Sequence, residues 1–290
     1  MKRILLYALV CALTFCIAVF FCGCDNDDAP AATEYSYHYI ETNFTVNEDD
    51  VYAKIYIPDS DSTKMPAVIL SHSANLTADS MNSYASGFAK RGYVALAFDF
   101  RGGSANSRSN GDIKNMTLFT ECDDLKGAIK TAAALEYVDE DRIFLFGTSQ
   151  GGLVTALTAE EVENVKGQIL LYPAFNIPEL VSKFSGFSDF ADLFGSFSLG
   201  TYGKEFTDTL KGFDVYEHIG GFDGNVLIIH GSKDFIVNKS YSERAAEEYE
   251  NCALKIIEGA GHGFNEENYS MSGDFDEQVW AYIDEYLNAQ

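Results

Sequence analysis

From about residue 35 to the C-terminus, short apolar and β-branched runs alternate with stretches whose apolar positions recur every three or four residues. That alternation predicts a sheet whose strands are joined by helices. Segments 35–44 and 51–57 alternate in period two with no helical stretch between them, which predicts an antiparallel hairpin at a sheet edge. Segment 67–71 is a continuous apolar run that ends in Ser71, and it suits a strand buried on both faces. A helix over 80–91 closed by Gly92, a strand over 93–98, a Gly/Ser/Asn-rich loop from 101 to 115 and a helix over 121–137 follow. The strand expected at 142–146 runs straight into a glycine-rich turn and a helix reaching 160. Strands at 167–171, 226–229 and 254–257, with helices at 239–249 and 275–287, complete the series.

One segment breaks this rhythm. Between Pro173 and Asn225 the chain is rich in Phe and Gly and shows no convincing strand, which is too long for an ordinary connection. Its part from 174 to 213 is expected to be an inserted cap or lid. Phe184, Phe187, Phe190, Phe194 and Phe197 are spaced for one face of one or two short helices, serving either packing or substrate contact.

The first residues are not fold. Lys2 and Arg3 precede an apolar run over 4–21, the pattern of a charged and then a hydrophobic region of an export signal. The run ends Phe21-Cys22-Gly23-Cys24, which resembles a bacterial lipobox. That resemblance implies a signal peptide over 1–23, lipidation of Cys24 and a membrane-anchored lipoprotein, with the Asp-, Ala- and Pro-containing stretch to 34 as a tether. A cleaved signal without lipid and a single membrane anchor are the alternatives, and each also puts the domain outside the cytoplasm. Cys11, Cys16, Cys22 and Cys24 lie in this segment, leaving Cys122 and Cys252, which read as unpaired small hydrophobes.

Composition narrows the partners. Asp and Glu number 44 against 20 Lys and Arg, a formal net charge of −24, so a phosphate backbone would be repelled and no nucleic-acid partner is expected. With 47% hydrophobic residues in a chain of 290, residues 35–290 can build one sizeable core. No spacing of His, Cys and carboxylates suggests a metal, no glycine-rich phosphate loop is present, and no cofactor is expected.

The chemistry is carried by three residues. Gly147-Thr148-Ser149-Gln150-Gly151 lies between an expected strand and an expected helix, the setting of a nucleophile elbow that exposes a serine on a strained turn. Such a serine needs a base to take its proton and an acid to orient that base. His262, in Gly259-Ala260-Gly261-His262-Gly263-Phe264, follows the last strand on a flexible loop. Asp234 lies just past the strand at 226–229, so the order nucleophile, acid, histidine is kept.

With these motifs in place the chain resembles an α/β-hydrolase from about Tyr35 to its end: a mostly parallel central sheet flanked by helices, with an inserted cap. It is most similar there to cinnamoyl and feruloyl esterases, through Asp99-Phe100-Arg101-Gly102, Asp214-Val215-Tyr216-Glu217 and Val226-Leu227-Ile228-Ile229-His230-Gly231 followed by Asp234. The resemblance implies a serine hydrolase cleaving carboxylic esters, of small molecules or linked to polysaccharide. It also implies an oxyanion hole formed by the main-chain N–H groups of Gln150 and Ala74. Ser73, in Ser71-His72-Ser73-Ala74, stands where the family carries glycine. A serine peptidase on the same fold and a non-catalytic surface binding protein are the competing readings.

Overall fold

The computed structural model describes residues 34–183, 202–265 and 273–290. Eight strands form one sheet: β1 (Tyr37–Val46), β2 (Asp49–Pro58), β3 (Met65–Ser71), β4 (Val94–Phe98), β5 (Val138–Thr148), β6 (Gly167–Leu171), β7 (Asn225–Gly231) and β8 (Cys252–Ile257). Their order is β1-β2-β4-β3-β5-β6-β7-β8. The hairpin β1–β2 and the pair β2–β4 are antiparallel, and every pair from β4–β3 to β7–β8 is parallel. The expected α/β-hydrolase sheet, with its antiparallel edge, is therefore the architecture found.

The inner strands are mostly apolar where they pair, because helices cover both faces. Strand periodicity sends Ala67 and Ile69, Val94 and Leu96, and Ile143 and Leu145 into one core cluster. Val68 and Leu70, Ala95 and Ala97, and Phe144 and Phe146 fall in the other. The first cluster takes Leu118 and Leu125 of α2 (Leu118–Ala133), Leu153 of α3 (Gln150–Ala159) and Ala245 of α6 (Ser240–Glu248). The second takes Tyr84 and Phe88 of α1 (Asn82–Lys90) with Val279 and Ile283 of α7 (Asp276–Leu287).

Several boundaries differ from expectation for local reasons. The first helix starts at Asn82 because residues 78–81 form a 3-10 turn. The second starts three residues before the expected Glu121: the Thr117 hydroxyl accepts from the Thr120 N–H while the Thr120 hydroxyl accepts from the Thr117 N–H. Strand β5 begins at Val138, which pairs with Met65 before a register shift joins the rest of β5 to β3. Of the expected cap, α4 (Ile177–Lys183) and α5 (Lys204–Leu210) are described, whereas Phe184, Phe187, Phe190, Phe194 and Phe197 lie outside the described residues. The export segment, Cys24 and the tether to Thr33 also lie outside them. Cys122 and Cys252 are both free.

Candidate active site

The C-terminal ends of parallel strands open onto loops where such sheets place their sites. Ser149 follows β5, Asp234 follows β7 and His262 follows β8. The structure brings all three together. Ser149 has φ 51° and ψ −117°, a left-handed strained conformation for a residue with a side chain. Its neighbours make that turn possible. A Cβ on Gly147 would stand 2.4 Å from the Gly151 carbonyl oxygen, and one on Gly151 would stand 2.3 Å from the Ser71 carbonyl oxygen. Both glycines therefore serve the close approach of α3 to β5 and β3.

His262 Nε2 lies 3.0 Å from Ser149 Oγ, and His262 Nδ1 lies 2.7 Å from Asp234 Oδ2. An ionised carboxylate only accepts, so Nδ1 carries the proton and Nε2 is left to accept from the serine hydroxyl. Ser149 is 9% exposed and the Asp234 side chain is fully buried. The acid is held from every side. Its Oδ1 accepts from the N–H groups of Ile236 and Val237, each at 2.9 Å, and its Oδ2 also faces His230 Nε2 at 3.2 Å. Burial alone would raise the Asp234 pKa, but hydrogen bonds from His230 and His262, the His262 charge and the Val237 N–H outweigh it and hold the carboxyl well below its ordinary range.

Three neighbours of this relay were not legible as such. His230 Nε2 donates to the Val237 carbonyl at 2.9 Å and its Nδ1 accepts from the Ser242 hydroxyl at 2.7 Å, which fixes the ring beside the acid. Tyr172, at φ 38° just past β6, sets its ring edge-to-face on His262 with centroids 4.7 Å apart. Glu121 of α2 sits under the elbow, with both carboxyl oxygens within 3.0 Å of Gln150 Nε2. In the sequence His230 only follows the strand expected at 226–229, and Glu121 only opens the helix expected at 121–137. Only the loop closing back from β7 and the earlier start of α2 reveal their partners.

The arm expected to supply the second oxyanion donor is ordered by its own polar groups. His72 is buried and accepts through Nε2 from the Phe100 N–H at 3.2 Å, so Nδ1 donates to the Ser73 carbonyl at 2.8 Å. Desolvation lowers the His72 pKa and keeps this ring neutral. The Ser73 hydroxyl lies 2.8 Å from Thr148 Oγ1, tying the arm to the residue before the nucleophile. Among the described residues no main-chain carbonyl takes the N–H of Ala74 or of Gln150. An open groove of about 460 Å³ along the β1–β2 edge, lined by Tyr37, Tyr39, Lys54 and Tyr56, contains none of these residues.

Known proteins share both sequence and architecture with this chain. The sequence profile of the prolyl oligopeptidase family matches residues 79–290. The solved structure of Est1E from Butyrivibrio proteoclasticus with ferulic acid bound superposes with a TM-score of 0.69 at 21% identity, covering 86% of this chain and 98% of that one. The Pyrococcus furiosus esterase Pf2001 superposes with a TM-score of 0.62 at 22% identity, covering 87% and 91%. The quorum-quenching protein AidA of Acinetobacter baumannii (strain MDR-ZJ06) is 28% identical over 117 residues. That match spans 39% of this chain and about a third, 36%, of the relative's length.

Proposed function

The chain belongs to the prolyl oligopeptidase family, and from that premise we propose that it is a serine hydrolase that cleaves carboxylic esters through an acyl-enzyme on Ser149. The observation that carries this reading is the relay of 3.0 Å from Ser149 Oγ to His262 Nε2 and 2.7 Å from His262 Nδ1 to Asp234 Oδ2. As Ser149 Oγ attacks the ester carbonyl, His262 Nε2 takes its proton and Asp234 stabilises the resulting imidazolium. The carbonyl oxygen becomes an oxyanion that the N–H groups of Gln150 and Ala74 would receive. Collapse of the tetrahedral intermediate expels the alcohol, protonated by His262. Water, deprotonated by the same ring, then attacks the acyl-serine, and collapse of this second intermediate breaks the acyl–Oγ bond, returns the proton from His262 to Ser149 Oγ and releases the acid.

Esters are favoured as substrates by the likeness to Est1E and to the Pyrococcus furiosus esterase. A peptidase is the second reading, and the family match is the observation that favours it. Both share the relay and differ in the leaving group that His262 must protonate. A serine-directed fluorophosphonate should label the wild type and not Ser149→Ala. Acetyl, long-chain and feruloyl esters assayed beside aminoacyl anilides then separate the two, and turnover of the anilides alone would remove the esterase reading.

We read the described parts of the segment between β6 and β7, residues 174–183 and 202–213, as belonging to a cover over this site, because Tyr202 reaches Gln150 beside the nucleophile. The charged start, apolar run and Gly23-Cys24 support export and lipid anchoring through Cys24, with the enzyme tethered at the cell envelope. Incorporation of labelled fatty acid by the wild type and not by Cys24→Ser tests that placement.

A further inference from the structure

The hydrogen-bond relay accounts for Asp234 and His262 but leaves a second buried acid beside the nucleophile without a role. Glu121 is 1% exposed, and its two carboxyl oxygens stand 2.9 and 3.0 Å from Gln150 Nε2. The Gln150 Oε1 in turn faces the Tyr202 hydroxyl at 3.5 Å. Gln150 is the first residue of α3, directly after the strained serine. The peptide between them is held at its carbonyl end, where the Ser149 oxygen accepts from the N–H groups of Gly152, Leu153 and Ala174. At its other end the N–H meets no main-chain carbonyl among the described residues, and the Gln150 side chain, bonded to Glu121, is the second anchor of that peptide.

We infer that Glu121 is a positioning residue for the oxyanion site: through the Gln150 side chain it fixes the main-chain N–H that meets the developing oxyanion. This rests on the proposed acyl transfer at Ser149. The role also demands that Glu121 stay uncharged while the substrate oxygen becomes negative, and its surroundings provide for that. The groups facing it are the neutral Gln150 of α3, the Tyr202 hydroxyl ahead of α5, and, on its own helix, Cys122 and Asp124, the latter paired with Arg101 at 2.5 Å. Among the described residues no cation faces the carboxyl. Burial raises its pKa to about 8, the Gln150 hydrogen bond opposing and the Asp124 charge adding to that rise. Above that pH an uncompensated carboxylate stands behind the oxyanion donor and opposes the charge that the transition state must gather.

Kinetics on p-nitrophenyl esters, with active sites titrated by a fluorophosphonate, test the proposal. Glu121→Leu and Gln150→Ala each remove the anchor and should lower kcat about ten- to a hundred-fold with KM within about two-fold. The double variant should be no worse than either single change, because both break one connection. Glu121→Gln, whose Oε1 can still accept from Gln150 Nε2, should recover kcat to within a few-fold. It should also lack the fall in kcat near pH 8 expected of the wild type. Additive losses, or unchanged kcat per titrated site with a lowered Tm, would overturn the inference and leave Glu121 a packing residue. Should Ser149→Ala keep its ester turnover, it is the acyl-transfer reading itself that fails.

Discussion

Asp234 and Glu121 are two buried carboxyl groups connected to the same serine, one through His262 and the other through Gln150. Burial pushes both pKa values up, yet they end on opposite sides of the ordinary carboxyl range. Asp234 receives two main-chain N–H groups and two imidazoles, enough donors to make the anion the cheaper form. Glu121 receives one amide NH₂ and faces a second carboxyl. The number and charge of the donors, rather than depth, decides which acid is ionised at neutral pH. The difference assigns the work as well: an anion orients and stabilises an imidazolium, whereas a neutral acid can stand beside an oxyanion without repelling it.

The same isosteric change at the two sites gives the sharpest contrast. Asp234→Asn should leave a folded enzyme with kcat lowered by roughly 10⁴-fold, because the amide NH₂ turned toward His262 favours the tautomer that cannot accept the serine proton. Glu121→Gln should cost only a few-fold. Steady-state kinetics on both variants measure the contrast, and comparable losses at the two positions would mean that the two acids do not differ in charge.

Much of the first site was legible in the sequence, and the second was not. The elbow around Ser149, the acid after β7 and the histidine after β8 are each marked by a glycine-bearing turn at a strand end, and strand periodicity locates those ends. Glu121 was hidden by a helix boundary. Taken as the first residue of a helix over 121–137 it would sit in solvent at an open end, but the reciprocal Thr117–Thr120 cap starts α2 at Leu118 and turns Glu121 inward against α3. A Thr-x-x-Thr cap lacks the acidic third residue that usually marks a helix start. His230 escaped for a different reason, since its contact with Asp234 is made by the loop folding back within four residues, and period two says nothing of loops.

The donor surplus at Asp234 can be broken one partner at a time. His230→Phe removes the Nε2–H that faces Asp234 Oδ2 and leaves the Ser242 hydroxyl and the Val237 carbonyl without the ring that joins them. A charge-assisted hydrogen bond contributes about 1.5–3 kcal/mol, and this N–H is shared with the Val237 carbonyl, so the expected fall in kcat is at most about ten-fold, with KM little changed. His230→Gln keeps a donor and should lie between Phe and wild type. Unchanged kcat per titrated site with a lowered Tm would show that His262 and the two main-chain N–H groups suffice to hold the acid.

The smallest effect is on stability, and there the two acids act in opposite pH windows. The folded state depresses the Asp234 pKa below its unfolded value near 3.8, so its contribution is present above that pH and is lost as pH falls through the folded value. The folded state raises the Glu121 pKa from 4.5 to about 8, so between these values the native protein keeps a proton that the unfolded chain has released. Stability should therefore decline as pH rises from about 4.5 to about 8, by an amount on the order of a few kcal/mol. Asp124, raised by burial to about 6 against its Arg101 contacts, adds a decline of the same sign confined to the lower part of that window. Glu121→Gln cannot titrate, so urea unfolding of this variant should lose the slope between about pH 6 and 8 and keep below it only the share that Asp124 contributes. Asp234→Asn should instead flatten the acid side alone. If Glu121→Gln unfolds with the wild-type pH dependence through pH 6–8, the buried carboxyl is ionised in the folded protein and the contrast between the two acids collapses.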